Sequence, residues 1–360
     1  MEAIFNLFKV KFEYLDKLVN KHCPDVKAGT EVNVFINLEP VMRKLSSANI
    51  EDYLKVKKDE KIIEMISCIF NLAAHYRLFF KKNKIKSYIY IYMSDTSKDV
   101  YYKNRQFVPD YRETFNHKYR TQPKYMSLNK TLLNSMNLLQ IILEYIDGVY
   151  FIRSGSTEAS VIPYMINKIN PNNRTNFIIS SEKYEYQYTN KNYYIVVPKK
   201  EESFIVSKEN VIENLKIDLR VKTNLSIDSS FITTILSMIG DEHRGIPKLK
   251  RVGLSTILKV LNNAIDNNLI SNNTSNYNMI IKLLQDDQKE LFINNYLCTD
   301  VDYQDNNNTI ADYDFIKNQL KDKFDNLSLK RINDEHFMLY PLMLLEIEQY
   351  RYVKKQNIKF

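Results

Sequence analysis

From Gly240 to Leu261 the chain reads G-D-E-H-R-G-I-P-K-L-K-R-V-G-L-S-T-I-L-K-V-L, a basic turn set between two apolar helical runs. Phe231 to Ile239 is apolar at helical spacing and leads into Gly240, and Leu254, Ile257, Leu258 and Leu261 restart the same periodicity after Gly253. The reading is helix, turn with a φ-permissive glycine, helix. Lys248, Lys250 and Arg251 stand in that turn beside the main-chain N–H groups of a helix start, an arrangement suited to a phosphate backbone. An ordinary solvated turn between packed helices is the competing reading.

Composition bounds the answer. A chain of 360 residues that is 44% hydrophobic can bury one large core or two smaller ones, and 51 basic against 43 acidic side chains leave a charge of +8 that favours anionic partners. Only six glycines, no tryptophan, and many Lys, Asn, Ile and Tyr residues suggest an AT-rich coding sequence such as that of a phage or virus. Cys23, Cys68 and Cys298 lie far apart without metal-ligand spacing, so they are expected to be core thiols. No apolar run has membrane-spanning length and no secretory leader is visible. The expected setting is intracellular or virion-associated, reducing, and not secreted.

Along the chain, Ile4, Phe5, Phe8, Phe12, Leu15 and Leu18 predict one amphipathic helix ahead of the main fold. A strand over Glu31–Ile36, a helical segment near Val41–Leu45 and a long helix over Lys61–Phe80 follow, with His75 read as a core residue. Next come a strand over Ser87–Met93, a helix over Leu132–Ile146, and strands at Gly148–Ile152, Asn176–Ile179 and Tyr193–Val197, separated by helical segments at Ser156–Ile169 and Ser207–Leu215. Such alternation implies a mostly parallel sheet covered on both faces. Tyr184, Tyr186, Tyr188, Tyr193 and Tyr194 read as packed strand and rim. Beyond Phe231 the signal is helical, with asparagine-rich loops at Asn272–Asn278 and Asp302–Asn308 and a packed helix over His336–Tyr352.

The turn resembles, without a gap, the helix-three-turn-helix of the flap endonuclease and 5′→3′ exonuclease family, written G-D-x-x-D-N-I-P-G-V-x-G-I-G-x-K-T-A. Gly240, Asp241, Ile246, Pro247, Gly253 and Thr256 match, and Val252 keeps the apolar position; Arg244, Gly245, Lys248 and Arg251 depart from it. Four further motifs resemble the family in order. V-N-V-F-I-N puts Asn37 where the family has a metal-binding aspartate. Ser94 and Asp95 close the second core strand, followed by Arg105, Pro109, Tyr111 and Arg112 in the place of the mobile arch. E-A-S-V keeps Glu158 and Ala159 but has Ser160 and Val161 for two aspartates, and S-S-E-K-Y-E-Y-Q keeps Lys183 and Gln187 with Glu182 and Tyr184 for two more. The resemblance covers Glu31 to about Leu261.

That resemblance implies an α/β, PIN-like fold with a central mostly parallel sheet flanked by helices. The implied layout is an N-terminal helical extension at 1–30, a nuclease-fold domain at 31–225 with a basic arch-like loop at 96–123, and a helical region at 226–360 with the helix-three-turn-helix at 231–264. A two-metal nuclease needs converging carboxylates at the strand ends. Asn37, Ser160, Val161, Tyr184 and Arg244 supply none, and Arg244 adds a fixed positive charge. The expectation is therefore a nucleic-acid-binding, catalytically impaired or inactive relative of 5′ nucleases, a subunit of a phage or viral DNA-transaction or virion assembly. The alternatives are an active structure-specific nuclease with an unusual metal site and a purely structural protein. If active, its catalytic groups are Asp95, Glu158, Glu182 and Asp241, with Glu158, Glu182 and Asp241 as ligands; the cofactor expectation is none, or weakly bound Mg2+ or Mn2+. Nucleic acid, with DNA first, is the expected partner, alongside proteins of a replication, transcription or virion complex and no membrane. Its contacts are assigned to Arg105, Tyr111, Arg112, Lys118, Arg120, Lys183, His243, Lys248, Lys250, Arg251 and Gly253. Tyr101 to Arg120 alternates aromatic and basic residues, which suits stacking on unpaired bases and contact with phosphates.

Overall fold

The computed structural model describes residues 2–41, 44, 58–94, 148–154, 157–191, 193–199, 203–241, 246–271, 277–306, 310 and 313–325. The expected helices over Leu132–Ile146 and His336–Tyr352 and the arch-like loop at 96–123 lie outside these residues. The chain opens with α1 (Glu2–Asn6) and α2 (Phe12–His22), then β1 (Glu31–Asn37), the long α3 (Lys58–Lys82) and β2 (Lys86–Ser94). After β3 (Val149–Ser154) come a 3-10 turn at Ala159–Val161, α4 (Ile162–Ile169), β4 (Thr175–Ile179), a 3-10 helix at Lys183–Lys191, β5 (Tyr193–Val197) and β6 (Phe204–Val206). The remainder is helical: α5 (Val211–Asp218), a 3-10 turn at Ser229–Phe231, α6 (Ile232–Ile239), α7 (Leu254–Asp266), α8 (Tyr277–Leu283), α9 (Asp286–Thr299), α10 (Val301–Asn306) and α11 (Tyr313–Asp325).

The strands form one sheet in the order β3-β2-β1-β4-β5-β6, parallel throughout except for the antiparallel β5–β6 pair. Successive side chains point to opposite faces, and here both faces are buried. Val32, Val34, Ile36, Ile89, Ile91, Phe177 and Ile179 face a core shared with α1, α2 and α3. Phe35, Tyr90, Tyr92, Tyr150, Ile178 and Ile195 face a second core shared with α4, α6, α7 and α9. Double burial explains why these strands are near-continuously apolar. On the second face Phe35, Tyr90 and Tyr150 stack in a row across three strands, with ring centroids 5.0 and 4.8 Å apart.

The N-terminal segment departs from its sequence reading. The single amphipathic helix is two helices, and both belong to the first core: Phe5, Phe8, Val10 and Leu15 are each 1% exposed. The break between them follows from α3, whose Tyr76 hydroxyl donates to the Phe8 carbonyl and whose His75 ring Nε2 bonds the Val10 carbonyl at 2.7 Å. These tertiary bonds satisfy the interruption that helical periodicity alone does not reveal. His75 also lies against the Phe12 ring at 4.7 Å.

Burial lowers the His75 pKa from its usual value, an effect opposed by the Val10 carbonyl and reinforced by Lys9; burial lowers that of His22 as well. With the folded value below the unfolded one, the unfolded state binds the proton more readily. Stability is then complete above about pH 6.5 and falls as pH drops through the window beneath it. Thermal melts from neutral to mildly acidic pH should show this decline, and His75→Gln should shrink it; an unchanged slope in that variant would place the titrating group elsewhere.

Two further departures have the same kind of cause. Asp302–Asn308 reads as a loop, yet Val301–Asn306 is helical because Val301 is fully buried and Asp305 accepts from Tyr164 at 2.9 Å and Tyr313 at 2.8 Å while pairing with Lys168. The S-S-E-K-Y-E-Y-Q segment leads into a 3-10 helix, and only Tyr193 and Tyr194 of the tyrosine group lie on a strand. Cys23, Cys68 and Cys298 are buried thiols, and burial pushes Cys68 up to about 11. Among the described residues no helix is long and apolar enough to cross a membrane.

Candidate nucleic-acid interface and strand-end site

The basic turn is built on α6. Gly240 ends that helix at φ +66, and its N–H donates to Leu236 O at 3.0 Å. Asp241 and Ile246 then pair as an antiparallel bridge, with N–H to carbonyl distances of 2.7 and 2.9 Å. The chain is so tight here that a Cβ on Gly240 would lie 2.5 Å from the Ile246 carbonyl oxygen and 2.6 Å from the Lys248 nitrogen. Leu249 is 1% exposed, donates its N–H to Met238 O at 3.0 Å, and pins the turn to α6. On either side of this anchor, Lys248, Lys250 and Arg251 are exposed.

Gly240 is the glycine whose conformational freedom the turn uses. Gly253 has φ −101, caps α7, and leaves open space where a Cβ would stand, so this turn does not require glycine there. A second residue of the turn with positive φ is Arg251, at φ +60, which is not a glycine. An L-residue in that region costs about 1–2 kcal/mol, and Arg251 occupies the position at which the family pattern has glycine. Residues 242–245, with His243 and Arg244, lie outside the described residues.

At the carboxyl end of the sheet, β3, β2 and β1 finish in Ser154, Ser94 and Asn37, and Ser180 follows β4. Asn37 Nδ2 donates to Glu185 Oε1 at 2.9 Å, and its Oδ1 accepts from the Glu39 N–H at 2.9 Å. The Tyr92 hydroxyl donates to the same Glu185 oxygen at 2.7 Å. Burial, together with the Glu185 charge, holds the Tyr92 pKa well above its usual value, so it remains a donor. Ser94 gives both its hydroxyl and its N–H to Glu39 Oε1. Glu182, 6% exposed, is fixed by its own N–H bond to Ser180 Oγ at 3.1 Å; Glu158, 9% exposed, leads the 3-10 turn after β3. The Ser160 carbonyl accepts from the Tyr188 hydroxyl at 2.6 Å, while Val161 and Tyr184 are buried.

Glu39 and Glu185 escaped the sequence reading. The signal was present only as position: Glu39 lies two residues past the end of β1, and Glu185 stands three residues after Glu182. Glu185 thus supplies a buried carboxylate beside Tyr184. Among the described residues no group of three or more His, Cys, Asp and Glu side chains is arranged to hold a metal ion, and Glu158, Glu182 and Asp241 form no such group. Lys183 is half-buried; Asp95, Arg105, Tyr111, Arg112, Lys118 and Arg120 lie outside the described residues. Gln187 ties the sheet to the helices, donating to Thr299 O at 2.8 Å and accepting from the Val301 N–H at 3.1 Å.

No protein-family model and no curated protein matches the sequence. Solved structures do match its fold. The T5 D15 protein co-crystallised with metal ions aligns at TM-score 0.50 and 11% identity over 82% of this chain and 99% of that one. The T5 5′-exonuclease with zinc bound aligns at TM-score 0.50 and 12% identity over 82% and 98%. The fold is flap-endonuclease-like. A T5 D15 flap endonuclease described as a pseudo-enzyme-product complex with DNA and metal ions aligns more loosely, at TM-score 0.43 and 11% identity over 87% of this chain and 99% of that one. Within this flap-endonuclease-like fold, the parallel sheet carries Asn37, Ser94 and Glu182 at its carboxyl end, and the helical region carries the basic turn.

Proposed function

We propose that this chain binds DNA through its phosphate backbone on a flap-endonuclease-like fold whose nuclease centre is impaired or inactive, and that it serves as a subunit of a phage or viral DNA-transaction or virion assembly. The observation that carries the impairment is the bond from Asn37 Nδ2 to Glu185 Oε1. An amide nitrogen cannot ligate a cation, and the carboxylate oxygen it faces is already shared with Tyr92. The described residues therefore do not fit a pair of divalent ions. The T5 proteins of this fold were solved with metal ions; here Asn37 and Tyr92 both donate to Glu185 Oε1, and Ser94 donates to Glu39 Oε1.

Binding rests on the turn. Its basic side chains are exposed on both sides of the buried Leu249, and a net charge of +8 supports attraction to an anionic polymer. Because phosphate contacts carry no base information, affinity should be similar across sequences. Anisotropy titrations on labelled duplex, nicked, flap and single-stranded DNA over a range of salt test this, with a log–log slope of about −0.9 for each duplex phosphate contact. Absent or salt-independent binding would overturn it. An active nuclease remains the second reading because Glu39, Glu158, Glu182 and Glu185 are all buried near the strand ends.

A further inference from the structure

We infer that α9 is a strut that positions the basic turn, with Asn295 as the positioning residue; this rests on the proposal that the turn contacts DNA phosphates. Asn295 is fully buried, and its Nδ2 donates both to Ser237 O, near the end of α6, at 2.9 Å and to Pro247 O, inside the turn, at 2.7 Å. One amide group thereby locks the entry helix to the loop. Nearer the start of α9, Gln288 Nε2 donates to Lys250 O at 3.0 Å. Two turn carbonyls, those of Pro247 and Lys250, are thus drawn toward α9. Carbonyls near a bound phosphate would repel it, so holding them on the protein side favours the face that carries Lys248, Lys250 and Arg251.

The other end of α9 is fastened as firmly. Gln187 bonds the Thr299 carbonyl, and Thr299 is the last residue of α9. Asn295 lies one turn earlier, and its carbonyl accepts from the Thr299 hydroxyl at 2.8 Å. At 1.5 Å per residue, the turn contacts at Asn295 and Gln288 stand about 6 Å and about 16 Å along the helix from Thr299. The strut therefore runs from the strand-end 3-10 helix to the turn and fixes the separation of the two, which sets where a bound duplex lies relative to the sheet. Neither Asn295 nor Gln187 need touch DNA to do this.

Four variants of the full chain test the strut, titrated with a fluorescein-labelled DNA duplex over a range of salt. Replacing Lys248, Lys250 and Arg251 together with glutamine establishes the contact itself and should flatten the slope by about 0.9 per lost contact. Asn295→Leu, similar in size and unable to donate, should raise Kd about tenfold and also flatten the slope. Gln288→Ala, at a partly exposed site, should do the same more weakly and remains informative if Asn295→Leu does not fold. Phe292→Leu removes packing against Tyr277 and against Tyr296 of the same helix while keeping both amide bonds to the turn, and should lower the melting temperature while leaving the slope intact. An unchanged slope in the triple variant would overturn the phosphate contact and the strut with it. A flattened slope there, with wild-type slopes in Asn295→Leu and Gln288→Ala, would overturn the strut alone, as would equal flattening by Phe292→Leu.

Discussion

Asn37→Asp is expected to destabilise the protein by about 3–5 kcal/mol at neutral pH, the range for a buried charge left without a compensating partner. The substitution changes one atom, yet it turns the donor facing Glu185 Oε1 at 2.9 Å into a second acceptor. Two carboxyl oxygens at that separation cannot both be ionised, so the pair must hold a proton in the folded state. A pKa raised on folding gives the sign. The variant approaches wild-type stability below the unfolded carboxyl pKa of about 3.9, and the deficit grows as pH rises until the folded value is passed. Chemical denaturation of both proteins over this range measures it. Equal stability at neutral pH would show that residues 37 and 185 do not meet. Recovery on adding magnesium, by mass action on the folded state, would reveal a latent metal site.

Gly240→Ala should cost about 2–4 kcal/mol, since two penalties coincide. A left-handed φ of +66 is unfavourable for any Cβ, and the added carbon would meet the Ile246 oxygen, the Lys248 nitrogen and the Pro247 carbon at 2.5 to 2.7 Å. All three are backbone atoms and cannot rotate away. Relief would require opening the Asp241–Ile246 bridge, so affinity for DNA should fall with stability. Urea denaturation with a midpoint like that of wild type would show that the turn is not so tightly closed.

The sequence reveals the turn more fully than the strand ends, for a physical reason. Gly240 and Pro247 are needed by the backbone itself, so a short pattern carries them, and the apolar strands announce themselves because both faces of the sheet are buried. Side-chain networks leave no such trace. Asn37 could be read as an aspartate position filled by amide, but its bond to Glu185 crosses 148 residues of chain. The same holds for Gln187, visible as a motif residue and understood only once its bonds to Thr299 and Val301 are seen. The break between α1 and α2 depends on Tyr76 and His75 of another helix. Helical periodicity overshoots wherever a distant side chain claims a carbonyl, and the loop reading of Asp302–Asn308 failed because Asp305 is held by Tyr164, Tyr313 and Lys168.

The central claim is that this fold grips DNA without cutting it. Its most direct test incubates the full chain with flap, nicked and single-stranded DNA in magnesium and in manganese, measuring binding on the same substrates. The account predicts salt-sensitive binding and no metal-dependent cleavage. Cleavage that requires either ion, and is abolished by Glu158→Ala and by Asp241→Ala, would contradict it and make the strand-end carboxylates a working nuclease centre.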